Sequence, residues 1–212
     1  MMNELYMLFQ RTRDWLGPIL IFTMIMIAFP LSLNIYSADL ISSFESVLVI
    51  SLLMIAFISS DGMFNEDFLD GSFEMLISEG GSIFQTVFEK LCASFLLISF
   101  PIALAGLLFS IANGAINQNY MIAFLGIFFV NMILNSIFAF GSAISLNKGA
   151  ILGVISVLPF SMPAIILFGR FLDSISSNIS SINLLQLLGG ISIITFLVFS
   201  WLCSKIIKLH IE

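Results

Sequence analysis

The chain has 212 residues, of which 59% are hydrophobic and only 9% charged, and its net charge is −6. A water-soluble domain could not present so little polar surface, and a nucleic-acid binder would need a basic patch that this charge balance does not supply. We therefore predict one integral membrane domain over residues 1–212, with no room for a separate soluble catalytic domain.

The N-terminal segment, residues 2–14, differs from the apolar runs that follow it. Leu5, Leu8, Phe9 and Leu16 recur at helical spacing, while charged and amide side chains occupy the other positions. This pattern predicts a short amphipathic helix that lies in the membrane interface before the first span.

Six later runs are each long enough to cross a bilayer, which takes about 20 apolar residues. They are continuous and do not alternate as barrel strands do, so we expect helices, whose backbone groups are satisfied within the segment. The fold class is therefore an all-α integral membrane protein with about six transmembrane helices. The predicted spans are 18–36, 40–60, 92–112, 120–143, 149–169 and 184–204.

The cations predict the orientation of these spans. Six of the seven Lys and Arg residues fall on the side of the N-terminus, and only Arg170 falls on the other side. The six are Arg11, Arg13, Lys90, Lys148, Lys205 and Lys208. Since cytoplasmic loops carry an excess of cations, both termini are expected in the cytoplasm.

The largest polar stretch, residues 61–90, lies between the second and third spans and is called the acidic segment below. It contains seven of the thirteen acidic residues, together with regularly spaced Phe and Leu residues. We predict two short amphipathic helices that meet at Asp70-Gly71-Ser72, with a turn at Gly80-Gly81-Ser82. Such an element would either dock into another protein or pack under the lipid headgroups, and its aromatic residues and acidic face favour docking.

Enzymatic and metal-binding functions are not expected of this chain. Its one histidine, His210, is near the C-terminus, and its glycines match neither a P-loop nor a dinucleotide fingerprint. The acidic segment lacks the ligand spacing of an EF-hand. Cys92 and Cys203 form no metal motif and are interpreted as packing residues. No catalytic or metal-ligating residue is assigned, and the chain should not hydrolyse ATP itself.

Four prolines interrupt the spans, and each removes a backbone hydrogen bond and favours a kink. They are Pro30, Pro101, Pro159 and Pro163. We predict hinges at these positions and a bent or broken fifth span.

The fourth span carries a polar stripe: Asn131, Asn135, Ser136 and Ser142. Asn131 and Asn135 are four residues apart and share a helix face. Hydrogen bonding between helices is favoured over a substrate path. Because the spans carry no ionisable residue at mid-depth, energy is expected to enter from a partner and not from ion coupling.

Three sequence stretches resemble one known family, the B subunit of the cytochrome c maturation haem exporter, which is an ABC-2-type permease. They are FPLSL at 29–33, FNEDFLDGSFEML at 64–76 and GAILGVISVLPFSMPAIILFG at 149–169. In the second stretch, the residues that match the family pattern are Phe64, Asp67, Asp70, Gly71, Ser72 and Glu74, with Phe73 in place of a leucine. In the third, Lys148, Pro159 and Pro163 match.

The resemblance implies partners and cofactors that periodicity cannot supply. A separate ATP-binding subunit would dock at the matching residues of the acidic segment, and a haem-handling membrane subunit would work beside this chain. The permease would act as a homodimer within a hetero-oligomer, surrounded by lipid, in a bacterial or organellar inner membrane. ATP and haem would both be bound by partners, so this chain would hold no cofactor.

The implied function is ATP-dependent export or delivery of haem to a periplasmic haem chaperone. Two alternatives stay open: a non-transporting scaffold that holds the ATPase and the haem-handling subunit together, and an ABC-2 exporter of a lipid or drug.

Overall fold

The computed structural model describes residues 12–32, 40–60, 62–116, 118–146, 150–176 and 181–211, and every regular element in these ranges is helical. The all-α prediction is therefore confirmed. In chain order the helices are α1 (Thr12–Ser32), α2 (Leu40–Ser60), α3 (Asn65–Leu69), α4 (Ser72–Ser78), α5 (Ile83–Ser94), α6 (Phe100–Ala112), α7 (Tyr120–Ile144), α8 (Ala150–Ser176) and α9 (Ile182–Ile211), and a π-helical segment, Phe95–Ser99, joins α5 to α6.

Five runs in the described residues are long and apolar enough to cross a membrane: Ser43–Leu69, Ile83–Ala112, Tyr120–Ile144, Ile155–Ile175 and Ile182–Ile211. They correspond to the second to sixth predicted spans. The first predicted span corresponds to α1, whose apolar part, Trp15–Leu31, is shorter than the other five. Most of the predicted interfacial helix at 2–14 lies outside the described residues, and residues 12–14 form the first turn of α1.

Helix α7 is the centre of the bundle, because it packs against α2, α6, α8 and α9 and most of its residues are buried. Two glycines let α7 and α8 approach closely. A Cβ at Gly126 would overlap the ring of Phe171 on α8, and one at Gly153 would overlap the carbonyl of Gly141 on α7. Small residues at such crossings strengthen the packing of helices in a membrane. The two contacts, near opposite ends of α7, fix the antiparallel register of the pair.

Helix α5 includes residues 83–90 of the acidic segment, so we keep that name from here on for the part before α5, residues 62–82, which packs against one end of this bundle. A second hydrophobic cluster, separate from the main core, joins it to α5 and α9; its members include Phe64, Phe73, Val87, Leu91, Cys203 and Ile207. Helix α9 has 30 residues and is therefore about 45 Å long, which exceeds the roughly 30 Å hydrocarbon core of a bilayer. The end of α9 can thus extend past the hydrocarbon and pack against the segment there.

The four prolines have different surroundings. Pro159 and Pro163 lie inside α8, which continues through both, so the fifth span is not broken at either proline, while the predicted bend and hinges stay predictions. Pro30 is inside α1, near its end. Pro101 is in the first turn of α6, directly after the π-helical segment, where the Phe100 N–H donates to the Phe95 carbonyl five residues back. Because Pro101 has no N–H, the carbonyl of Leu97 four residues back receives no α-helical bond from it, and the π-helical segment includes this carbonyl.

Candidate functional site

The acidic segment contains the two short helices that its sequence predicts, α3 and α4. Asp70 ends α3, and Gly71 has a φ of 71°, in the left-handed region, at the start of α4. A residue with a Cβ is disfavoured in this conformation. The turn therefore requires glycine, and it sets the direction in which α4 leaves α3.

The aromatic residues predicted to dock a partner face the bundle instead. Phe64 and Phe73 are 0% and 2% exposed, and both belong to the second hydrophobic cluster with α5 and α9. The half-buried Phe68 packs on the same cluster, and its ring lies edge-on to that of His210, with the ring centroids 6.4 Å apart. These rings attach the acidic segment to the ends of α5 and α9.

Asp67, also predicted as a docking residue, forms a salt bridge with Lys90 on α5. The Lys90 ammonium also donates a hydrogen bond to the carbonyl of Met63, at 3.1 Å. The Lys90 side chain is 13% exposed and the Asp67 side chain 22%. We call these two contacts the Lys90 clamp. Asp67 therefore makes an internal contact and is not a free acid on the surface.

The side chains that remain available to a partner lie on both sides of the Gly71 turn. Asp70, Ser72 and Glu74 are exposed, as the docking prediction requires. Two apolar residues beside them, Leu69 and Met75, are 63% and 62% exposed. We call Leu69, Asp70, Glu74 and Met75 the outer patch.

The sequence prediction did not assign Leu69 and Met75 to the docking site. The spacing of the apolar residues along each helix could have identified them. Phe64 and Phe68 are four residues apart, and Phe73 and Leu76 are three apart, so each pair marks the inner face of its helix. Leu69 and Met75 fall off those faces, and an apolar residue left on the outside beside acids is a candidate for contact with another protein.

One residue of the polar stripe in the fourth predicted span, Asn135, joins helices together, as the favoured interpretation requires. The amide of Asn135 donates to the Ser94 hydroxyl of α5 at 2.7 Å and accepts from the Ser60 hydroxyl of α2 at 3.1 Å. Asn135 thus connects three helices next to the acidic segment. Ser136 bonds instead to the Met132 carbonyl of its own helix.

In contrast to Asn135, three buried side-chain polar atoms in the described residues have no hydrogen-bond partner: Ser99 Oγ, Asn131 Nδ2 and Ser142 Oγ. Asn131 is 2% exposed and lies one helical turn from Asn135. Ser99 is the last residue of the π-helical segment, which contacts α7. The part of the stripe around Asn131 is therefore buried without the bonds that fix Asn135.

The chain is similar to proteins that carry the name of a haem exporter protein. It is 25% identical over 167 residues to "Heme exporter protein B" of Pseudomonas aeruginosa, which covers 78% of this chain and 75% of that protein. It is 25% identical over 197 residues to the protein of the same name from Haemophilus influenzae, covering 90% of this chain and 87% of the relative.

A family comparison extends over nearly the whole chain. The profile of the family described as "CcmB protein" matches residues 1–209. This range includes the acidic segment and all the described helices, except for the last two residues of α9. This multi-pass helical membrane protein therefore belongs to the CcmB family.

Proposed function

We propose that the chain is the membrane permease subunit of an ABC transporter complex for cytochrome c maturation, which exports haem or delivers it to a periplasmic haem chaperone. Membership of the CcmB family and relatives named "Heme exporter protein B" support this proposal. The protein is then a transport subunit and not an enzyme, and a separate partner subunit hydrolyses ATP.

The observation that carries the proposal is the division of the acidic segment into an inner and an outer side. Phe64, Phe73 and Asp67 fasten the segment to the bundle, while the outer patch presents two acids and two exposed apolar side chains. A partner with a basic rim around an apolar pocket would complement this patch. The ATP-binding subunit is the proposed occupant, and the patch then faces the cytoplasm.

Haem and ATP are assigned to partners. The one histidine, His210, lies near the end of α9, with a ring nitrogen 2.9 Å from the Ile206 carbonyl, and it contacts Phe68. This position suits a structural role beside the acidic segment better than axial ligation of haem within the spans. A haem-handling membrane subunit is therefore the proposed neighbour, in a complex that contains two copies of this chain in a bacterial inner membrane.

Charge reversal on the outer patch tests the docking assignment. Asp70→Lys and Glu74→Lys should each weaken capture of the ATP-binding subunit in a pull-down from detergent and lower the level of c-type cytochromes, because each replaces an exposed acid with a cation. Gln118→Lys adds the same side chain at an exposed position in the turn between α6 and α7, and it should change neither measurement. Normal capture and normal cytochrome levels in both reversal variants would contradict the assignment.

One observation favours a second candidate function, the non-transporting scaffold. Asn131, Asn135 and Ser142 are all buried, at most 2% exposed, and Asn135 is bonded to neighbouring helices. The polar stripe therefore lines no open path within one chain. Transport of haem into sealed vesicles that contain the whole complex separates the candidates, since the scaffold predicts ATP-dependent loading of the haem chaperone without net transport.

A further inference from the structure

We infer that Lys90 is a positioning residue that fastens the acidic segment to α5, so that the two move as one body and transmit displacement into the third span at its π-helical segment. This inference rests on the proposed function, because it requires a partner that moves the acidic segment. It assigns a role to a residue outside the outer patch.

The contacts of Lys90 bridge parts of the chain that are distant in sequence. Its ammonium binds the Asp67 carboxylate in α3 and the Met63 carbonyl, which is 27 residues away and directly precedes Phe64. One cation thus holds both a side chain and the backbone at the start of α3. An ordinary exposed ion pair contributes little to stability, but this cation is mostly shielded from water and has two acceptors in fixed positions.

Apolar contacts reinforce the same attachment. Phe64 and Phe73 pack with Val87 and Leu91, which are on α5 itself. The acidic segment meets α2 through a hydrogen bond from the Met63 N–H to the Ser60 carbonyl at 3.3 Å, whereas it meets α5 through charged, polar and apolar contacts. A push on the outer patch would therefore be transmitted to α5 through the ion pair and the apolar contacts, and to α9 through the apolar contacts.

From α5 the attachment continues into the centre of the bundle. Ser94 is four residues after Lys90 and shares its helix face, and it accepts the hydrogen bond of Asn135 on α7. Lys90 and Ser94 therefore fix α5 at two successive turns. Together they join α3, α5 and α7 into one unit at this end of the molecule.

The regular helix ends immediately after Ser94. The π-helical segment Phe95–Ser99 follows, and Pro101 interrupts the α-helical bonding pattern after it. Such irregular turns are places where helices bend. The π-helical segment contacts α7, and each of these elements has a buried polar atom without a hydrogen-bond partner: Ser99 Oγ and Asn131 Nδ2. A change in the contact between the two elements would therefore break no hydrogen bond of these atoms. The first point at which the third span can bend is therefore the π-helical segment.

Three variants test this role in the assembled complex. Lys90→Met keeps most of the apolar stem and removes both clamp contacts, Lys90→Arg keeps the cation, and Lys205→Met is the control. Lys205 is exposed on α9 near the same end of the bundle, with its ammonium 5.8 Å from the ring centroid of Trp201. The measurements are capture of the ATP-binding subunit, its ATPase activity and the amount of c-type cytochrome.

With Lys90→Met we expect normal capture and ATP hydrolysis, but a roughly tenfold loss of cytochrome c maturation per ATP, a size typical of energetic coupling between sites. Lys90→Arg should recover most of the loss, and Lys205→Met should resemble the original protein. Unchanged maturation in Lys90→Met, loss of capture in that variant, or no recovery with Lys90→Arg would each overturn the inference. If the original complex matures no cytochrome, the proposed function fails instead.

A distance measurement tests the attachment without reference to activity. Spin labels at Ser78 and Gln85, both exposed, report the separation of α4 and α5 in the full complex after Cys92 and Cys203 have been replaced by alanine. We expect one narrow distance distribution when Lys90 is kept and also in the Lys90→Arg variant, and a broad one in Lys90→Met. The same narrow distribution in Lys90→Met would overturn the inference.

Discussion

Replacing Asn135 with leucine should weaken the bundle, while the same change at Asn131, one helical turn away, should not. Asn135 makes two well-formed hydrogen bonds to other helices, to Ser94 at 2.7 Å and from Ser60 at 3.1 Å. The Nδ2 of Asn131 has no partner. The two positions are matched in residue type, helix and burial, so they differ mainly in bonding.

The magnitude follows from these bonds. Hydrogen bonds between helices in a membrane contribute about 0.6 kcal/mol each on average and up to about 1.7, so Asn135→Leu should lower the free energy of unfolding by about 1–3 kcal/mol. Ser60 retains a bond to the Ala56 carbonyl at 2.8 Å, which limits the loss. Asn131→Leu removes a buried donor that has no acceptor, and such a change is close to neutral or stabilising.

The assay is unfolding of the purified protein in mixed micelles by increasing fractions of SDS, followed by far-ultraviolet circular dichroism. Asn135→Leu should unfold at a lower SDS fraction than the original protein, and Asn131→Leu at an equal or higher one. Equal destabilisation by the two variants would refute the reasoning, since it would show that burial at these positions matters and the bonding of Asn135 does not.

Further predictions concern glycines and the outer patch. Gly126→Ala should lower the free energy of unfolding by about 1–3 kcal/mol in the same SDS assay, since its Cβ overlaps the buried ring of Phe171. Gly169→Ala has no atom within 4 Å of its Cβ and should be neutral or raise the free energy of unfolding by up to about 1 kcal/mol. Equal losses in the two variants would contradict the close α7–α8 contact. Gly71→Ala should destabilise the turn by about 1–2 kcal/mol, seen as faster proteolysis of the acidic segment, with an unchanged cleavage rate as the contrary result. Met75→Glu should reduce capture of the ATP-binding subunit without changing the SDS midpoint, because this side chain is 62% exposed; undiminished capture would exclude Met75 from the docking surface.

The sequence predicted the fold well because a bilayer imposes a strong requirement on it. Continuous apolar runs must form helices, and five of the six predicted runs appear as span candidates. The two short helices α3 and α4 were also predicted correctly, because the Asp70-Gly71-Ser72 and Gly80-Gly81-Ser82 triplets stand where one helix ends and another can begin.

The orientation of side chains within the acidic segment was harder to predict. Composition identifies its Phe and acidic residues as unusual, but it does not say which of them face the bundle. That depends on α5 and α9, which pack on the segment from elsewhere in the chain, so Phe64 and Phe73 are buried and Leu69 and Met75 are exposed. The pairing of Lys90 with Asp67 has the same origin.

The prolines show where local rules fail in a membrane protein. Pro159 and Pro163 predicted a bent or broken span; α8 has no break at either position, and the bend stays a prediction. Transmembrane helices tolerate proline because neighbouring groups and small backbone adjustments satisfy the freed carbonyls. At Pro101, by contrast, the adjustment takes the form of the π-helical segment, which the sequence pattern alone did not predict.

The most direct test of the central claim is the accessibility of the outer patch in sealed vesicles. A single cysteine placed at Met75, with Cys92 and Cys203 replaced by alanine, is exposed to a maleimide that does not cross membranes. The account predicts labelling in inside-out vesicles only, and strong protection when the ATP-binding subunit is present. Labelling from the periplasmic side, or no protection by the ATP-binding subunit, would contradict the claim that this surface receives the ATPase.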